Sequence, residues 1–143
     1  MKISKLVILI IIATIMFVSC TNRKKHIGEW KGLDKGKPAD LILDKTNHAT
    51  FIIDNHVFGG NDYKLESNPA ECKYDIDYSK EPIWFDIVLY QKEGNVEKVR
   101  LKGILRFITD TKIEYRVSFK GERFTEFDPK DTENTIVLDK VKK

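Results

Sequence analysis

Beyond residue 26, apolar residues of this chain recur at every second position, and no stretch carries the three-to-four spacing of a helix face. The clearest case runs from Lys112 to Phe119, where Ile113, Tyr115, Val117 and Phe119 share one face. Glu114, Arg116 and Ser118 take the other, so this strand is expected to show that face to water. Val99, Leu101, Leu105 and Phe107 repeat the alternation, with Gly103 in phase where a bend or bulge is expected. Thr109-Asp110-Thr111 joins the two runs as a hairpin turn. Leu41–Leu43 and Ala49–Ile53 flank another turn, Asp44-Lys45-Thr46-Asn47-His48. Tyr74, Ile76 and Tyr78 alternate until Glu81-Pro82. The run from Ile83 to Tyr90 is apolar on both faces, which predicts a central strand, and Thr135–Val141 reads as the closing one.

The sum is eight to nine short strands and no helix, with segments 55–62 and 120–134 as the longest loops. Strands joined in order by hairpins form an antiparallel meander, and a long meander tends to curl until its edges meet. The fold class expected is therefore an all-β antiparallel barrel, with a sandwich as the alternative. A barrel of about eight strands is just wide enough to be filled by its own side chains. A filled interior is accordingly favoured over a hollow one, with Trp30 as the plug of a closed end and its indole N–H on a carbonyl.

The first 20 residues follow a different rule. Lys2 and Lys5 precede thirteen mostly apolar residues, Leu6 to Val18, and then Ser19-Cys20. A basic start, a short apolar run and a small residue before a cut site make a secretory signal peptide. Crossing about 30 Å of hydrocarbon takes roughly 20 apolar residues, so the run is short for a spanning helix. An uncleaved anchor remains the alternative, with Lys5 snorkelling. The tetrad Phe17-Val18-Ser19-Cys20 resembles a bacterial lipobox, although Phe17 stands where Leu is usual. That resemblance implies lipidation of Cys20 by a diacylglyceryl thioether and a palmitate-type N-acyl chain. One chain alone holds a protein only marginally, whereas two signals give lasting attachment. It further implies a bacterial envelope lipoprotein, on the outer membrane facing the periplasm if the cell is Gram-negative, since Thr21 is not a retention aspartate. The expected organisation is residues 1–19 as signal peptide, 20–26 as lipidated tether and 27–143 as one domain.

Composition narrows the partners. Loss of residues 1–19 removes two lysines and no acids, leaving 23 basic residues against 22 acidic ones. A net charge this close to zero, with signs interspersed, makes no case for nucleic acid. With Cys20 acylated, Cys72 has no partner in the chain and reads as a small buried hydrophobe rather than a nucleophile.

Ile27-Gly28-Glu29-Trp30 carries the Gly-x-Trp that opens lipocalin-like barrels. Tyr74-Asp75-Ile76-Asp77 followed by Lys80-Glu81-Pro82-Ile83-Trp84-Phe85-Asp86-Ile87 resembles a stretch of an uncharacterised bacterial lipocalin-like domain family. Gly103–Phe107 and Asp110–Ile113 are similar to that family's next hairpin, and Glu122-Arg123-Phe124 falls where it usually has Arg-Pro. The resemblance covers about residues 26–142. It implies a lipocalin-like barrel and brings no catalytic residues.

Candidate chemistry is sparse. Asp75, Asp77 and Asp86 are the best acidic constellation, but Asp75 and Asp77 fall on one outward strand face and no calcium-loop glycine accompanies them. His48 and His56 bracket a strand and are set too far apart to share a metal unless the chain turns back sharply. Gly59-Gly60-Asn61-Asp62 reads as a turn rather than a phosphate loop. No nucleophile, base or metal set converges, so neither an enzyme nor a cofactor is expected. The larger functional weight falls on aromatics that would line a lumen, with Trp30, Phe51, Tyr74, Trp84 and Tyr115 as the ligand-binding candidates. The function expected is a membrane-tethered, non-catalytic envelope lipoprotein holding a small apolar ligand. The alternative is an inhibitor or immunity-type lipoprotein that docks an envelope protein through its loops. A cavity of about 300 Å³ or more would favour the first.

Overall fold

The computed structural model describes residues 24–142, so the stretch expected to be a signal peptide and Cys20 lie outside the described residues. Ten strands follow in order: β1 (Gly28–Asp34), β2 (Lys37–Leu43), β3 (Ala49–Ile53), β4 (His56–Gly59) and β5 (Tyr63–Leu65). Then come β6 (Asn68–Asp77), β7 (Ile83–Gln91), β8 (Val96–Thr109), β9 (Lys112–Ser118) and β10 (Thr135–Lys140). One short 3-10 turn, Glu93–Asn95, links β7 to β8. The count exceeds the eight to nine expected because the supposed loop 55–62 contains β4, and β5 follows directly. These two strands are only four and three residues long, too short to display an alternation.

The sheet order is β4-β3-β2-β1-β10-β9-β8-β7-β6-β5, all antiparallel. β10 returns to the start of the chain, with Gly32 opposite Leu138 and Trp30 opposite Lys140. The remaining seam lies between β4 and β5, and backbone bonds reach across it. Gly60 N–H donates to the Ala49 carbonyl and Cys72 N–H to the Gly60 carbonyl, each at 2.8 Å, while Tyr74 N–H donates to the Asn47 carbonyl. The result is a nearly closed ten-stranded barrel of lipocalin-like form. Gly59 and Gly60 make that stitch feasible. Both take positive φ, and a Cβ on Gly59 would stand 2.8 Å from the Cys72 Cβ.

The closed end is packed with large side chains. Trp30, Leu43, Tyr74, Phe85 and Ile113 are buried there. The Phe85 ring stacks on Tyr74 at 5.5 Å and meets Tyr115 edge-on at 5.2 Å. Each such side chain contributes about 1.5–3 kcal/mol by leaving water. Gly103 is no bulge: β8 runs unbroken through it, and its register shifts lie at Leu89/Tyr90 and Phe107/Thr109. Its role is close approach, since a Cβ there would come within 2.5 Å of both the Phe85 carbonyl and the Tyr115 ring.

The outer face of β9 is also not the watery face its alternation predicts. Glu114, Arg116 and Ser118 are buried. Residues 119–134 run back over the outside of the barrel as a strap. Arg116 clamps that strap by donating to the Asp131 carboxylate at 2.6 Å and the Glu126 carbonyl at 2.6 Å, with its guanidinium 3.7 Å from the Phe124 ring centroid. Alternation records that two faces differ; it does not record what lies on each.

Candidate functional site

The end of the barrel opposite Trp30 is hollow. A half-open cavity of about 500 Å³ enters between the β1–β2 turn, β4, β5 and the ends of β7 to β10. This corrects the filled interior. Barrel width grows with strand number, and ten strands enclose more space than eight. Trp30, Tyr74 and Phe85 fill the closed end, whereas the cavity wall is largely aliphatic, with Leu41, Ile87, Leu89, Leu101, Val117 and Leu138 set between a few aromatic rings.

Of the five aromatics put forward as ligand contacts, Phe51 and Tyr115 line this cavity. Trp30 and Tyr74 lie in the closed end beneath it. Trp84 is not in the lumen: one residue out of phase with Phe85 on β7, it stands on the outside, 41% exposed. There Lys80 Nζ and the Arg123 guanidinium lie 4.8 and 4.3 Å from its ring centroid. Reading β7 as apolar on both faces placed Trp84 inside, whereas its indole covers the barrel wall under two cations.

The sequence reading missed Phe58 and Tyr63, which also line the cavity but fall on short strands without alternation. Cys72, read from the sequence as a small buried hydrophobe, is buried and also lines the cavity, in phase between Ala70 and Tyr74. Burial pushes the Cys72 thiol up to about 11, so it is an uncharged wall group. Burial, then the Asp86 charge, also raises Tyr115 far above an ordinary phenol, and its hydroxyl is sealed from solvent without a hydrogen-bond partner.

Charged groups are confined to the mouth. Asp34 continues the inward phase of Trp30 and Gly32 to the rim, and Lys35 beside it pairs with Glu133 at 2.5 Å. Asp40 also borders the opening but is held by Lys31 on the outer face at 3.4 Å. Around the rim stand Leu33, Val57, Phe58 and Phe119, all exposed.

The acidic constellation divides. Asp86 and Asp75 are register partners on β7 and β6, and Arg100 Nη1 donates to both, at 3.2 and 2.7 Å. Asp86 further accepts from Arg123 at 2.5 Å and from the Gly103 N–H at 3.2 Å. Burial opposes its ionisation, but Arg123, Gly103 N–H and Arg100 outweigh that and hold the carboxyl below its ordinary range. Asp77 instead accepts from the Ser79 N–H and hydroxyl in a turn.

His26, placed in the tether by the sequence reading, is buried in the closed end. Tyr74 donates its hydroxyl proton to the Asp44 carbonyl at 2.7 Å, so it accepts from His26 Nε2–H at 3.1 Å. Nδ1 is then left to accept from the Tyr78 hydroxyl at 2.7 Å. Burial, then the nearby Lys140 charge, lowers this imidazole to about 4. His48 bonds Glu71 at 2.9 Å, and His56 sits at the opposite end of β3 from it.

Among the described residues no group of three or more His, Cys, Asp or Glu side chains is placed to hold a metal ion. No helix among them is long and apolar enough to cross a membrane. Compared with protein-family models, curated proteins and solved structures, the chain matches none.

Proposed function

We propose that this protein is a non-catalytic envelope lipoprotein, tethered through lipidated Cys20, that carries a small apolar ligand in its barrel. The cavity carries the reading. Its volume of about 500 Å³ lies within the range of ligand pockets, and its wall is apolar up to the mouth. The groups with latent chemistry are otherwise committed: Cys72 is an un-ionised thiol, Asp86 is occupied by three donors, and both nitrogens of His26 are bonded.

The tether reading sets an orientation. The chain enters the barrel at the closed end, where Lys25 pairs with Asp110 and Lys140 donates to the Lys25 carbonyl. Four residues from Cys20 to Lys24 reach at most about 14 Å. A lipid on Cys20 would therefore hold the closed end to the membrane and turn the mouth away from it. Cys20→Ser is expected to release the protein to the soluble fraction; a variant that still pellets with membranes favours the uncleaved anchor.

The deciding experiment is native mass spectrometry of the chain from Thr21 onward, which carries every strand, after incubation with an envelope lipid extract. A discrete added mass supports the carrier. A clean apo mass favours a second reading, a protein-docking lipoprotein, for which the exposed rim of Leu33, Val57, Phe58 and Phe119 is the specific support.

A further inference from the structure

We propose that the lumen selects single-chain amphiphiles whose head is uncharged or cationic, and rejects fatty carboxylates. This rests on the reading of the cavity as a ligand site and specifies what enters it.

An ionised group taken into an apolar site must be paired or hydrogen-bonded there. The inner wall offers it no charge: Ile87, Leu101 and Leu138 are hydrocarbon, the Cys72 thiol is uncharged, the Tyr115 and Thr135 hydroxyls are sealed away, and the Asn134 amide is committed to Asp131. A ligand with a polar head must therefore enter tail first and leave its head at the mouth.

The mouth then decides which head is welcome. Its lining contains Asp34, Lys35 and Glu133 on the inner rim, and the one ammonium is already paired with the Glu133 carboxylate. Asp40 is paired away on the outer face. Asp34, Lys35 and Glu133 together leave one net negative charge at the rim, whose field attracts a cation, is indifferent to an alcohol and repels a carboxylate. At about 5 Å in water one such charge is worth several-fold in affinity, so cation and anion should differ by about tenfold.

Three probes with one decyl chain separate the possibilities by calorimetry at low salt: decyltrimethylammonium, decanol and decanoate. The expected order is ammonium tightest, alcohol between, and carboxylate weakest by about tenfold, with the spread collapsing in high salt as the rim charge is screened. Asp34→Asn, at the partly exposed end of β1, should narrow the spread several-fold by weakening the ammonium and strengthening decanoate. Decanoate binding as tightly as the ammonium overturns the head assignment while the cavity stands. So does a spread that survives high salt or Asp34→Asn. Failure of all three probes to bind overturns the carrier reading and this inference with it.

Discussion

The Trp30 indole N–H donates to the His26 carbonyl at 2.7 Å, tying the chain's entry into the barrel to the plug of its closed end. The same His26 offers its ring to Tyr74 and Tyr78, so one short segment partners the buried Trp30 and Tyr74 and the half-buried Tyr78. The tight end thus joins one local bond, between residues four apart, to partners 48 and 52 residues away in sequence.

Acid should loosen this end first. His26 titrates near 4 when folded and near 6.5 when free, so the unfolded chain takes its proton earlier as pH falls. Stability is then full above about pH 6.5 and declines toward pH 4, by up to about 3 kcal/mol. Urea unfolding at pH 7.5 and 4.5 measures the loss, and His26→Asn should remove most of it. An equal loss in the variant would assign the acid response to the carboxylates.

Asp86→Asn keeps the shape and deletes the charge that Arg123 and Arg100 share. Arg123 is largely buried, so an unpaired guanidinium there should lower stability by about 3 kcal/mol. The strap should also detach before the barrel opens. Amide exchange that rises across 119–134 while β6 to β9 stay protected is the expected signature.

Gly103→Ala tests close approach against bulge. With the Phe85 carbonyl and the Tyr115 ring both 2.5 Å from the added carbon, overpacking should cost about 1–3 kcal/mol. An unchanged denaturation midpoint would mean that β8 yields at this point.

Leu101→Trp fills the lumen from its wall. The variant should still unfold cooperatively, because the side chain grows into empty space, yet retain no added mass from the lipid extract. Retention equal to wild type would place any bound molecule elsewhere.

The strands were legible wherever one face met the core over several residues. β9 and the β2–β3 hairpin fall where alternation puts them, and β7 is paired on both sides as its double-faced run requires. The turn at Asp44–His48 was readable because Asp44 accepts from the Thr46 and His48 amides. β4 and β5 were hidden because their order comes from the seam they border, not from their own pattern. Trp84 was misplaced because β7 is apolar on both faces, and only its neighbours Lys80 and Arg123 reveal which side it takes.

By itself the sequence determined an all-β antiparallel chain and the plug at Trp30. Those properties follow from the two-residue period and from local hydrogen-bond needs. Tertiary structure alone decided the hollow. A cavity depends on how many strands close the ring and on which end receives the large side chains, and both are sums over the whole barrel. It also decided the strap over β9 and the charge left at the mouth, because Arg116 and Asp131, like Lys35 and Glu133, become neighbours only when the chain has folded.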